Sequence, residues 1–128
     1  MYNNRVVVYT SGTFDMFHSN HLKMIEYARG LGDTLIVGVS TDELVASYKN
    51  PPIIPFEDRC ELVKAIKYVD MVVPQTDKDK LSAWKRHNFN KMYVGSDWKG
   101  TPQWEEFEKI FSKIGVEIVY FPYTKKIS

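Results

Sequence analysis

With 128 residues, 44% of them hydrophobic and 14% aromatic, the chain is long and apolar enough for one domain with a real core. Its 17 Lys and Arg nearly balance 16 Asp and Glu, which excludes a broadly basic nucleic-acid surface and an acidic tail. The start, Met1-Tyr2-Asn3-Asn4-Arg5, lacks the apolar stretch of a secretory signal, no apolar run approaches the ~20 residues of a membrane span, and a single cysteine allows no intramolecular disulfide. A soluble, cytoplasmic, thiol-reducing setting is expected, with Cys60 a packed helix residue.

Along the chain, short runs of β-branched and aromatic residues recur: Val6 to Tyr9, Thr34 to Val39, Met71 to Val73, Met92 to Val94 and Val116 to Phe121. They are continuously apolar rather than alternating, the pattern of strands covered on both faces. Between them lie segments with helical spacing. Residues 21–31 carry Leu22, Ile25, Ala28 and Arg29, with Gly32 as a stop signal. Residues 57–68 place Leu62, Ile66 and Val69 on one side, and residues 105–114 place Phe107, Ile110, Phe111 and Ile114 on one face before Gly115. Three prolines in residues 50–55 remove donors and fix φ, so this stretch is an irregular loop. Strand and helix alternation with right-handed crossovers predicts one α/β domain, a Rossmann-like doubly wound parallel sheet of about five strands with helices on both faces.

In such sheets ligands bind beyond the carboxyl ends of the strands, where strand order reverses. The loop after the first strand reads Thr10-Ser11-Gly12-Thr13-Phe14-Asp15-Met16-Phe17-His18-Ser19-Asn20-His21. Gly, Thr and Ser in a turn ahead of a helix offer N–H groups and hydroxyls to an anion. His18 and His21, three apart at the start of that helix, share a side and can converge on one group, where imidazole N–H donors suit phosphate oxygens. A His-x-x-His pair can also be half of a metal site, but no nearby Cys or third His completes one, His87 being distant.

The segment Gly12-Thr13-Phe14-Asp15-x-x-His18-x-x-His21 resembles the signature turn of the cytidylyltransferases, G-T-F-D followed by H-x-G-H. The likeness continues through Gly32-Asp33, Ser40-Thr41-Asp42-Glu43, Glu57-Asp58-Arg59, Tyr68-Val69-Asp70, Val94-Gly95-Ser96-Asp97-Trp98 and residues 124–128 in the family's order. Within the family, the chain resembles the members that act on glycerol 3-phosphate, small homodimers of cell-surface polymer synthesis. The resemblance implies CTP, with magnesium on the triphosphate and no metal held by the protein, and a small phosphorylated acceptor attacking the α-phosphorus to give a CDP-linked product and pyrophosphate. It implies catalytic roles for His18, His21, Arg59 and Lys49, and nucleotide contacts from Gly12, Thr13, Phe14, Asp15, Gly95, Asp97, Trp98, Tyr123, Thr124 and Ser128. It implies no nucleic-acid or membrane partner.

Three departures stand out. Asn20 replaces the glycine of H-x-G-H; if φ there is positive, Asn is among the least costly replacements. Tyr123 stands in place of the arginine of a closing R-T-x-G-I-S-T, with Lys125 and Lys126 as the nearby cations. The family's lysine-rich segment near the acceptor is replaced by Tyr48-Lys49-Asn50-Pro51-Pro52, leaving Lys49 as its sole cation and the acceptor undetermined between glycerol 3-phosphate and another phosphate or phosphoramidate compound. The alternatives are an adenylyltransferase of the same superfamily and a nucleotide-binding subunit without turnover. A dinucleotide oxidoreductase is excluded by the absence of G-x-G-x-x-G after the first strand.

Overall fold

The computed structural model describes residues 5–121. Five strands, β1 (Val7–Gly12), β2 (Thr34–Ser40), β3 (Met71–Gln75), β4 (Lys91–Gly95) and β5 (Glu117–Phe121), form one sheet in the order β3-β2-β1-β4-β5 with every neighbouring pair parallel. Helices α1 (Ser19–Arg29), α2 (Asp42–Ala46), α3 (Phe56–Lys64), α4 (Lys80–His87) and α5 (Pro102–Lys113) fill the crossovers, and a short 3-10 turn spans Ser96–Trp98. The expected doubly wound sheet is therefore the fold, with β1 at its centre and the reversal of strand order between β1 and β4.

Burial accounts for the continuous apolar runs. Val8, Leu35, Val37, Val39 and Tyr93 pack against Ile25 and Ala28 of α1 and Val63 of α3 on one face. On the other, Tyr9, Ile36, Val73 and Met92 meet Ala83 of α4 and Trp104 and Phe111 of α5. With both faces covered, no position of β2 from Leu35 to Ser40 is left for a solvent-facing polar residue.

The helices depart from the periodicity in instructive ways. α3 ends at Lys64 rather than 68, and the side it buries carries Arg59 and Val63, while Leu62 is 49% exposed. The spacing misplaced Leu62, because the charged Arg59 holds the inward position, whereas Ile66 and Val69, beyond the helix end, do pack partly buried against the core. α2 and α4 were not anticipated: α2 is a single capped turn, with Thr41 Oγ1 accepting from Leu44 N at 3.2 Å. α4 is dominated by polar side chains and is fixed at its ends, by the Asp79 cap on Leu81 N at 3.1 Å and by Asn88 in the left-handed conformation, φ 51°.

One polar contact crosses the second core. The Tyr9 hydroxyl, fully buried, donates to Oε1 of Gln75 on β3, and Gln75 Nε2 donates to Asp77 O at 2.5 Å. The hydroxyl passes over Gly38 of β2, where a Cβ would collide with it and lie 2.9 Å from Tyr9 Cζ and 3.1 Å from Gln75 Oε1. The ring cannot retreat, being stacked on Phe89 at 4.9 Å and His87 at 5.8 Å. Gly38→Ala is expected to lower stability by about 2 kcal/mol through overpacking, outweighing the better strand propensity of Ala, as read from the urea midpoint at unchanged m-value.

Candidate active site

At the carboxyl end of the sheet, a cleft of about 480 Å3 opens between the β1–α1 turn, the proline loop and Trp98. A second groove, about 400 Å3, runs along α3 and β3 past Phe56, Cys60 and Pro74; its surface is mainly apolar and it shares no residue with the first. The convergence of polar groups therefore distinguishes the sheet-end cleft as the candidate site.

The two histidines cap α1 reciprocally. His18 Nδ1 accepts from Asn20 N at 3.2 Å, and His21 Nδ1 accepts from His18 N at 3.1 Å, with the rings 4.0 Å apart. An accepting Nδ1 places the proton of each neutral ring on Nε2, so the pair presents two N–H donors away from the helix backbone, at the positive end of α1. Burial, reinforced by the neighbouring His18, pushes the pKa of His21 below the ordinary imidazole value and keeps it a neutral donor. Phe14 at 5.7 Å and Phe17 at 5.1 Å fix the plane of the His21 ring.

Asn20 lies inside α1 and is not a positive-φ position; the left-handed residues are Phe14 (φ 56°) and Met16 (φ 55°), within the turn itself. At Gly12 a Cβ would lie 3.1 Å from Phe14 Cε2, so the glycine lets the buried ring fold back under the turn.

This strained turn is held by two side chains. Asp15 Oδ2 accepts from Ile53 N at 2.9 Å and Oδ1 from Ile54 N at 3.0 Å, tying the turn to the proline loop. Desolvation raises the Asp15 pKa, but the two N–H bonds, Arg59 and Lys49 together outweigh it and hold the carboxyl below its usual range. Arg59, 0% exposed, donates from Nη1 to Thr13 O (2.8 Å) and Ser40 O (2.7 Å), from Nε to Ile54 O (2.8 Å) and from Nη2 to Asp42 Oδ1 (2.6 Å). The guanidinium is thus engaged by protein acceptors, among them the Thr13 carbonyl of the turn that lines the cleft.

The structure brings Thr13, Phe14, Asp15, His21, Lys49 and Trp98 together around the cleft, with Trp98 half exposed; Gly12, at the end of β1, and the exposed His18, whose ring lies 4.0 Å from that of His21, are not among its lining residues. Gly95 ends β4 and starts the 3-10 turn that carries Asp97, whose side chain lies outside what the structure describes. Tyr123, Thr124 and Ser128 also lie outside the described residues. Sequence reasoning also gave no place to Lys80, whose Nζ lies 3.4 Å from Ser11 Oγ at the end of β1, next to the turn that lines the cleft. Burial lowers its pKa most, Asp77 opposes that shift and Lys78 adds to it. The signal was available: Lys80 follows the Asp79 cap at the carboxyl end of β3.

Replacing Arg59 with Met should cost about 3 kcal/mol, because three carbonyls and Asp42 lose one shared donor group. Urea unfolding measures this, with the m-value expected to stay unchanged.

The sequence profile of the cytidylyltransferase-like family matches residues 9–128. A glycerol-3-phosphate cytidylyltransferase of Bacillus spizizenii is 38% identical over 122 residues, 94% of this chain and 89% of that protein. An FAD synthase of Pyrococcus horikoshii is 39% identical over 126 residues, 95% of this chain and 82% of that protein. Among solved structures, the lipopolysaccharide core biosynthesis protein of Thermoplasma volcanium superposes with a TM-score of 0.80 at 23% identity, covering 95% of this chain and 98% of its own, and so shares the fold. By its profile match, its relatives and the geometry of its first turn, the chain belongs to the cytidylyltransferase-like family.

Proposed function

We propose that the protein transfers CMP from CTP, taken up as its magnesium complex, to a small phosphorylated acceptor and releases pyrophosphate. The observation that carries this reading is the histidine pair, whose Nδ1 atoms are committed to the α1 backbone so that two Nε2–H donors are left for phosphate oxygens. An oxygen of the acceptor phosphate forms the new bond to the α-phosphorus while the bond from that phosphorus to the bridging oxygen breaks and pyrophosphate leaves. A phosphate monoester is largely dianionic at pH 7 and needs no general base. The protein's part is positioning and charge stabilisation.

In this reading His18 and His21 donate to the triphosphate where charge builds, Gly12 and Thr13 let the phosphates approach the backbone, and Trp98 with Asp97 borders the base and ribose. Lys49, which lines the cleft, holds the acceptor phosphate, and Lys80 beside Ser11 at the end of β1 adds positive charge behind it. Tyr123, Thr124 and Ser128 are proposed to complete the nucleotide contacts. The setting is cytoplasmic, the product serves cell-surface polymer synthesis and the working unit is a homodimer, as in the family pattern. The similarity to an FAD synthase motivates a second reading, transfer of an adenylyl group from ATP by the same turn.

Pyrophosphate release with CTP or ATP, magnesium and a panel of phosphorylated acceptors separates these readings. Release is expected with CTP and one acceptor class, and His18→Ala or His21→Ala should each lower kcat by about 10²–10³, the cost of one well-placed donor. Release with ATP alone would establish the adenylyl reading, and nucleotide binding without release would leave a binding subunit. Light scattering should return twice the chain mass; a monomer at working concentration removes the dimer.

A further inference from the structure

Beside the cleft, next to Lys49 of its lining, stand cations that the loop sequence alone does not supply. The segment after α2 and the loop from β3 to α4 meet where the Lys78 ammonium sits 3.9 Å from the centroid of the Tyr48 ring, with Lys49 Nζ 5.7 Å from the same ring. Tyr48 is 45% exposed, so the ring is a platform at the surface rather than a core residue. An ammonium seated on an aromatic face is held by the ring quadrupole, which gives the flexible Lys78 stem a defined end point. Lys80, two residues on, reaches inward to Ser11.

The nearby carboxylates have other tasks. Asp15 accepts from Ile53 N and Ile54 N, Asp79 caps α4, and Asp77 accepts from Asp79 N while its field offsets the desolvation of Lys80. A positively charged acceptor tail here would face Lys49 and Lys78, and the Tyr48 face that would otherwise receive it is already occupied by an ammonium.

Resting on the transfer reading above, we propose that Lys78, seated on Tyr48, is a specificity-determining residue. With Lys49 and Lys80 it makes the site select an acceptor phosphate on a neutral or anionic tail and reject one whose tail carries an ammonium. Lys78 lies outside the turn assigned to the triphosphate and beside Lys49, so its role is assigned to the acceptor rather than to CTP.

The test uses the full chain and three probes of different tail charge: glycerol 3-phosphate, 3-phosphoglycerate and ethanolamine phosphate. Each is measured by calorimetric binding and by pyrophosphate release with CTP. The unmodified protein is expected to favour the first two over ethanolamine phosphate by about tenfold. Lys78→Met should reduce that preference to about twofold or less, raising the acceptor KM while leaving the CTP KM and the melting temperature unchanged. Lys78→Arg should retain the preference, and Tyr48→Leu should lose part of it.

Equal or tighter binding of ethanolamine phosphate by the unmodified protein, or a preference that Lys78→Met does not alter, overturns the proposal. If a Lys78-dependent preference appears in binding without any pyrophosphate release, the specificity role stands and the transfer reading fails. If release occurs but is indifferent to Lys78, transfer stands and the specificity role fails.

Discussion

The arrangement of the site depends on one buried guanidinium. Arg59 is the fully buried charge among the described residues, and transferring it from water costs several kcal/mol unless acceptors surround it. The acceptors come from four separate segments: the first turn, the end of β2, the first turn of α2 and the proline loop. None can move far without leaving the charge uncompensated, so the carboxyl end of β2, the loop and the turn are fixed relative to one another. This constraint also explains how Phe14 and Met16 persist at positive φ, each at a cost of about 1–3 kcal/mol. A turn strained at two of three successive residues must be over-determined, and Asp15 and Arg59 together provide that.

The proline loop contributes through the unfolded state as well. Three prolines in six residues reduce the conformations the loop gives up on folding, and its N–H groups at Ile53 and Ile54 are satisfied by the same carboxylate. A pre-ordered wall facing a pre-ordered turn suits a reaction whose acceptor already carries the nucleophile, because little remains for the protein to supply except alignment and donors.

The strands were legible because burial on both faces leaves an uninterrupted apolar run, and the turn was legible because its chemistry is local. α3 shows where that logic stops. Apolar spacing picks Leu62 for the inner side, whereas a charged residue with four acceptors takes the inward position instead. α4 was hidden for a different reason: its ends are specified by Asp79 and Asn88, while its interior has too few apolar residues to show a period. The positive φ values fall on Phe14 and Met16 rather than at Asn20, since position 20 already belongs to the helix and the chain reverses earlier.

Charge placement follows the same lesson. Read along the chain, the segment from Tyr48 to Pro52 has lost the family's lysines and retains only Lys49. Read in space, the loop after β3 returns two cations to the same region, Lys78 across the Tyr48 ring and Lys80 beneath the end of β1. Tyr48 and Lys78 meet across two segments and act together in the proposed acceptor selection. The ring supplies the seat and the neighbouring loop supplies the ammonium, an exchange between segments about thirty residues apart that a parallel sheet brings side by side because β1, β2 and β3 all end at one edge. Read by position, the loop is short of charge; read in the fold, the proposed acceptor selection depends on where the ammonium groups end rather than on which loop encodes them.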